Sequence, residues 1–259
     1  MDDLRPTISK HIPQADPWSS LRSFTAARIA LGRTGVALPL KESLNLALAH
    51  AHARDAVYSM LHIDELTNKL NQFGLPIVQL HSNAKDRKQY LQRPDMGRKL
   101  ELMSLLHLQE FATSKNTIAI SIADGLSANA INENIVPLLA ELMPMLRNMG
   151  VVIAPLCLIS QGRVAISDEV GAALKANLSL IFIGERPGLS SQDSMGAYLT
   201  YNPSPGLTDE SRNCVSNIRP DGLPYTQAAQ KIFYLVQESL RLKISGVLLK
   251  DNNTQQLSY

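Results

Sequence analysis

The sequence predicts an α/β protein in which a helical N-terminal part precedes a parallel sheet with crossover helices. Two observations carry this. Residues 1–110 hold apolar residues at helical spacing, and from Asn116 onward short, often β-branched apolar runs alternate with amphipathic stretches. The second texture is the rhythm of buried parallel strands joined by helices. The domain division is accordingly placed at 1–110 and 111–259.

In the first part, Asp16-Pro17 reads as a helix start, an N-cap followed by proline at the first helical position. Leu21, Phe24, Ala27 and Leu31 follow at helical spacing before Gly32 and Gly35 break the pattern. A second helix from about Leu40 carries one apolar stripe of Leu40, Leu44, Ala47, Leu48 and Ala51, the face that packs inward in an amphipathic helix. A third ends at Phe73, with Gly74 as a left-handed cap. "LPIVQLHS" is a short extended piece, and "RPDMGRKLELMSLLHLQEF" opens a fourth helix with Met96, Leu100, Met103 and Leu106 inward.

In the second part, strands are read at "TIAISIA", "VVIAPLCLI" and "LSLIFIG". Between them lie helices in "SANAINENIVPLLAELMPMLRNMG", closed by Gly150, and in "SDEVGAALKAN", capped by Ser167. A last helix follows Pro224. The extended pieces "AYLTY" and "CVSNI" are expected to decorate the sheet rather than build it.

Composition removes several function classes. With 259 residues, the chain buries a sizeable core without disulfides. A net charge of +2 with 19% charged and 5% aromatic residues lacks the basic excess that draws phosphate backbones, which argues against nucleic acid as a main partner. Cys157 and Cys214 are too few for a secreted disulfide framework and lack the spaced partners of a zinc site, so a reducing cytoplasm fits best. The start has acids where a secretory signal carries bases, and "VVIAPLCLI" is too short to span a bilayer, so no membrane is expected.

Each strand of the second part runs into a polar, glycine-containing turn: Asp124-Gly125-Leu126-Ser127, Gln161-Gly162-Arg163-Val164 and Glu185-Arg186-Pro187-Gly188. Parallel strands place all three turns on one carboxyl edge, where open α/β sheets bind ligands. An Asp, a Glu, two arginines and several glycines converging there suit a large polar ligand, a nucleotide or another amide-rich cofactor. Each turn alone is equally well read as a solvated turn with glycine at positive φ. Neither a Gly-x-Gly-x-x-Gly nor a Walker-type Gly-Lys-Ser is present, and no Gly-x-Ser-x-Gly or His-Glu-x-x-His appears. His50 and His52, two apart on a helix, cannot share a metal, and Cys157 lies within an apolar strand. Cys214 sits in a polar setting that fits a ligand wall as well as it fits packing. With no self-sufficient catalytic constellation and no metal site, the residues favour a binding subunit over a complete enzyme.

Six blocks then follow in register: "FTAARIALGRTG", "YLQRPDMGRKL", "ISIADGLSANAI", "QGRVAISDEVG", "IGERPGL" and "CVSNIRPDG". Their order and spacing, over roughly residues 15–250, resemble the small subunit of ethanolamine ammonia-lyase. The resemblance implies a Rossmann-like C-terminal domain behind the helical N-terminal domain. It also implies a large barrel subunit as partner in a hetero-oligomer, with adenosylcobalamin bound where the two chains meet. In that family the adenosyl radical takes a hydrogen from ethanolamine, which collapses to acetaldehyde and ammonia, and the reacting centre lies in the large subunit. The family's cobalamin contacts carry over to Val164, Glu185 and Cys214; Arg186, Arg163, Asp124 and Ser127 are added as neighbours from their place on the strand ends. The interval from Glu185 to Cys214 is one residue shorter than in the family pattern, which makes "NPSPGLTDESRN" a deletion site. The absence of Asp-x-His-x-x-Gly implies that the cofactor's own base stays on cobalt. The short, proline-broken start "MDDLRPTISKHIPQADPW" argues for a free cytoplasmic enzyme over one enclosed in a bacterial microcompartment. Two rival readings remain at this point, a stand-alone nucleotide- or cofactor-binding regulatory module and a purely structural subunit.

Overall fold

The structure, a computed structural model, describes residues 16–113 and 117–250. The expectations that rest on residues 1–15 and on Asn116 lie outside it. The chain divides into two compact units, Met1–Arg54 with Gly188–Ser190, and Asp55–Pro187 with Ser191–Tyr259.

In the first unit, the helix expected to begin at Asp16 is only a 3-10 turn, Ser19–Ser23. Local polar groups take the bonds a helix would need. The Asp16 carboxylate accepts from Trp18 N at 2.9 Å, and Ser23 Oγ donates to the Ser20 carbonyl at 2.8 Å. Leu21 and Phe24 stay exposed, so no apolar packing rewards further helix. Helix α1, Leu40–Tyr58, forms where the stripe predicts it. The stripe itself faces out: Leu40, Leu44 and Leu48 are exposed, while Ala49 and Ala56 are the buried positions. Val36 and Leu38, just before the helix, are exposed too.

The second unit is a mixed α/β structure. Its elements run α2 (Ile63–Leu70), β1 (Ile77–His81), α3 (Arg87–Gln92), α4 (Leu102–Gln109), β2 (Ile118–Ala123), α5 (Ala128–Asn148), β3 (Leu156–Ser160), α6 (Ile166–Ala173), β4 (Leu178–Gly184), β5 (Met195–Tyr201), β6 (Arg212–Ile218) and α7 (Tyr225–Leu242). The six strands form one sheet in the order β1-β3-β2-β4-β5-β6. β1, β3, β2 and β4 are parallel to one another, while β5 runs antiparallel to both β4 and β6. β5 and β6 are thus full members of the sheet, against the expectation that they only decorate it. In β6 Val215 and Ile218 are buried and Cys214 is exposed; the three-residue spacing goes with a register shift against β5 between Met195 and Ala197, as at a β-bulge. β1, the extended piece inside the first 110 residues, also joins the sheet.

Strand alternation builds two cores. Ile118, Ile120 and Ile122 of β2 pack with Leu138 and Leu142 of α5 and Ile232 and Val236 of α7. Ala119 and Ala123 point the other way, into a core with Leu108 of α4, Val170 of α6, and Ile181 and Ile183 of β4. Helices therefore cover both faces, which is why β2 and β4 are buried throughout.

Three local expectations change. The fourth helix breaks into a 3-10 turn at Met96–Arg98 and α4. The chain between them is pulled straight, as Leu100 N donates to the Glu169 carboxylate at 2.6 Å and Glu101 N to the His81 carbonyl at 2.9 Å. This rotates α4 so that Leu108 is buried while Met103 and Leu106 are exposed. Ser167 lies inside α6 and does not cap it; its hydroxyl donates to the Val164 carbonyl at 2.9 Å. Gly74 does close the third helical segment, with φ +63°, and Gly150 follows α5 with φ +69°. Among the described residues no helix is long and apolar enough to cross a membrane.

Candidate functional site

Because β2, β3 and β4 are parallel neighbours, the three glycine-containing turns lie at one edge of the sheet. They fit together through their glycines. Gly125, at φ +57°, and Gly184 pack so closely that a Cβ on Gly184 would lie 1.9 Å from the Ser127 carbonyl oxygen. Leu126 N donates across the gap to the Gly184 carbonyl at 2.9 Å.

Asp124 is a buried staple between two turns. Its two carboxylate oxygens accept from Gln161 N at 2.9 Å and Gly162 N at 3.1 Å. Arg87 reaches to 3.9 Å of the same carboxylate and donates to the Gly125 carbonyl at 2.7 Å. Burial dominates the balance and pushes the Asp124 carboxyl up to about 6, with the backbone donors and Arg87 pulling the other way. Ser127 caps α5 by accepting from Ala130 N and donates to the Gln192 carbonyl at 2.8 Å. Both residues bind the loops to one another and do not line the cleft between them.

That cleft holds about 380 Å³ and is lined by Tyr90, Arg163, Val164, Glu185, Arg186 and Tyr198, with Gly125, Leu126, Ile183 and Gly184. Four sequence-selected residues, Arg163, Val164, Glu185 and Arg186, therefore meet in one place. Cys214 stands beside it, opposite Tyr198 on the neighbouring strand. Glu185 is anchored through one oxygen: Oε2 accepts from the Ser194 hydroxyl and from Asn217 N at 3.2 Å, and neither bond uses Oε1.

Two tyrosines escaped the sequence reading. Tyr90, buried, is flanked by the guanidinium carbons of Arg163 and Arg87 at 4.1 and 4.6 Å from its ring centre, a double cation–π contact. Its hydroxyl donates to the Gly162 carbonyl at 3.2 Å, and burial raises its pKa. Arg163 donates from its backbone to the Gly97 carbonyl at 2.7 Å, and a Cβ at Gly97 would stand 2.8 Å from the Arg163 side chain. "YLQRPDMG" is thus the buttress beneath the Val164 turn. Tyr198 could have been found from strand alternation, since it faces the side opposite the buried Ala197 and Leu199. Cys157 is a core thiol pushed up to about 12 by burial. Among the described residues no group of three or more His, Cys, Asp or Glu could hold a metal ion.

Fold and cleft together define an α/β chain with a polar cleft at the carboxyl edge of its parallel strands. The family model described as ethanolamine ammonia-lyase light chain matches residues 15–250. A protein of Ralstonia nicotianae named ethanolamine ammonia-lyase small subunit is 48% identical over 253 residues, covering 96% of this chain and 92% of the relative. Proteins of the same name from Pseudomonas aeruginosa and Pseudomonas fluorescens are 48% and 45% identical, covering 93% and 95% of this chain and 91% and 90% of the relatives. The chain belongs to the ethanolamine ammonia-lyase small-subunit family.

Proposed function

We propose that this chain is the small subunit of an adenosylcobalamin-dependent ethanolamine ammonia-lyase and that it completes the cofactor site together with a large catalytic subunit. One observation carries the reading: Val164 and Glu185, both expected to touch cobalamin, line a single open cleft, and Cys214 lies across one strand from its wall. A cleft of about 380 Å³ is near the lower end of the range for ligand pockets. It takes an edge of a corrinoid and leaves the rest to a partner.

The donor set fits that group. Glu185 Oε1 accepts a hydrogen bond from an amide or ribose donor, Val164 forms an apolar wall, and Arg186 and Arg163 border the opening. Asp124, Ser127 and Tyr90 act through the loops, holding those side chains in register. Bound adenosylcobalamin supplies the radical chemistry; this chain contributes position and polarity. The parallel strands with helices on both faces suit a Rossmann-like cobalamin-contacting domain, and the apolar, exposed face of α1 suits a surface covered by the large subunit.

Equilibrium binding of adenosylcobalamin to this chain, to its large subunit and to the co-purified pair tests the reading. Tight binding by the pair alone supports it. Tight binding by this chain alone would favour a self-contained binding module.

A further inference from the structure

We infer that Ser194 and Asn217 are positioning residues that fix which oxygen Glu185 offers to the cofactor. The inference rests on the proposed role of Glu185 and extends it to residues outside the cleft lining. The Ser194 hydroxyl and the Asn217 amide both donate to Oε2, while Glu185 N donates to the Ser194 carbonyl at 2.9 Å. The side chain is thus tied at its far end and its backbone at the near end. A carboxylate held by two donors on one oxygen has a single orientation, and its second oxygen is left to accept from a ligand. Gly196 keeps that oxygen in place: a Cβ there would stand 2.9 Å from Oε1 and displace it.

The Asn217 amide reaches Glu185 because Asn217 adopts φ +59°, a left-handed backbone that asparagine tolerates better than most residues. A compact turn holds it there. The Asn217 carbonyl accepts from Leu223 N at 2.7 Å, and its side chain accepts from Arg219 Nε at 3.0 Å. Arg219 also contacts Asp193 at 3.3 Å, next to Ser194. Gly222 lies so close that a Cβ would meet the Asn217 carbonyl oxygen at 2.4 Å. "SNIRPDG" therefore serves Glu185 from the far side of the sheet edge, with no residue of its own lining the cleft.

A double-mutant cycle on the co-purified complex, read as adenosylcobalamin affinity, tests this. Ser194→Ala weakens binding about three- to tenfold in the wild-type background, the range for one lost hydrogen bond, and by less than about twofold once Glu185→Ala is present. Ser194→Cys, with its weaker donor, falls between. Equal losses on both backgrounds, or no loss in the wild-type background while Glu185→Ala weakens binding, would overturn the inference. Unchanged affinity in Glu185→Ala alone is a different failure, since it would remove the cofactor role of Glu185 itself.

Discussion

Asp124→Ala offers the sharpest test of how the cleft is held. The substitution strips the acceptors from Gln161 N and Gly162 N and removes the carboxylate that Arg87 approaches at 3.9 Å. A buried donor left without an acceptor costs about 1–3 kcal/mol. Gly162 is buried and Gln161 half-buried, so water rescues only the second. The sum is about 3 kcal/mol, or about 6–12 °C in Tm for a chain of this size. The loss also depends on pH. The folded state holds a proton on Asp124 up to about pH 6, whereas the unfolded chain releases it near the ordinary value of 3.8. Between those values the folded state binds more protons, so this group's contribution to stability grows as pH falls. The penalty of Asp124→Ala is therefore about 2 kcal/mol larger at pH 4.5 than at pH 7. Thermal unfolding of wild type and variant at both pH values reads this directly. A Tm shift under about 2 °C at pH 7 would refute the staple, and equal penalties at the two pH values would refute the burial-raised carboxyl.

Three further outcomes follow from the packing. Gly184→Ala places a Cβ 1.9 Å from backbone oxygen and destabilises the chain by about 3 kcal/mol, the upper end of overpacking costs; a fully stable variant in urea titration would show that the strand ends are looser than described. Arg212→Ala leaves the buried Asp168 carboxylate without its ion-pair partner and costs about 3–5 kcal/mol, again read by urea titration, with a loss under about 1 kcal/mol as the contrary result. Leu44→Lys with Leu48→Lys changes exposed positions of α1, so chain stability moves by less than about 0.5 kcal/mol, while co-purification with the large subunit falls. Undiminished assembly would exclude this face from the interface.

Much of the second unit was legible because its cues are local. Runs such as "LSLIFIG" are apolar without alternation, which buried parallel strands require, and β4 occupies that stretch. The convergence of Val164, Arg163, Glu185 and Arg186 followed from strand direction alone, since parallel strands put their outgoing turns together. What escaped depended on distant partners. Apolar spacing at Leu21 and Phe24 resembles a helix, but spacing does not say whether a surface waits to receive it. The α1 stripe was visible and its outward direction was not, because small Ala49 and Ala56 on the opposite side suffice for packing. Met103 and Leu106 were turned outward by a carboxylate 69 residues away that captures Leu100 N. The anchoring bonds of Asp124 to Gln161 N and Gly162 N, 37 and 38 residues away, likewise carry no sequence signal.

The measurement that bears most directly on the whole account is acetaldehyde release from ethanolamine in the presence of adenosylcobalamin, with this chain, its large subunit and the co-expressed pair assayed in parallel. The account predicts release only from the pair, and a marked fall when Glu185 is replaced by Ala. No release from a stable, co-purified pair, or release from the large subunit alone at the rate of the pair, would contradict it.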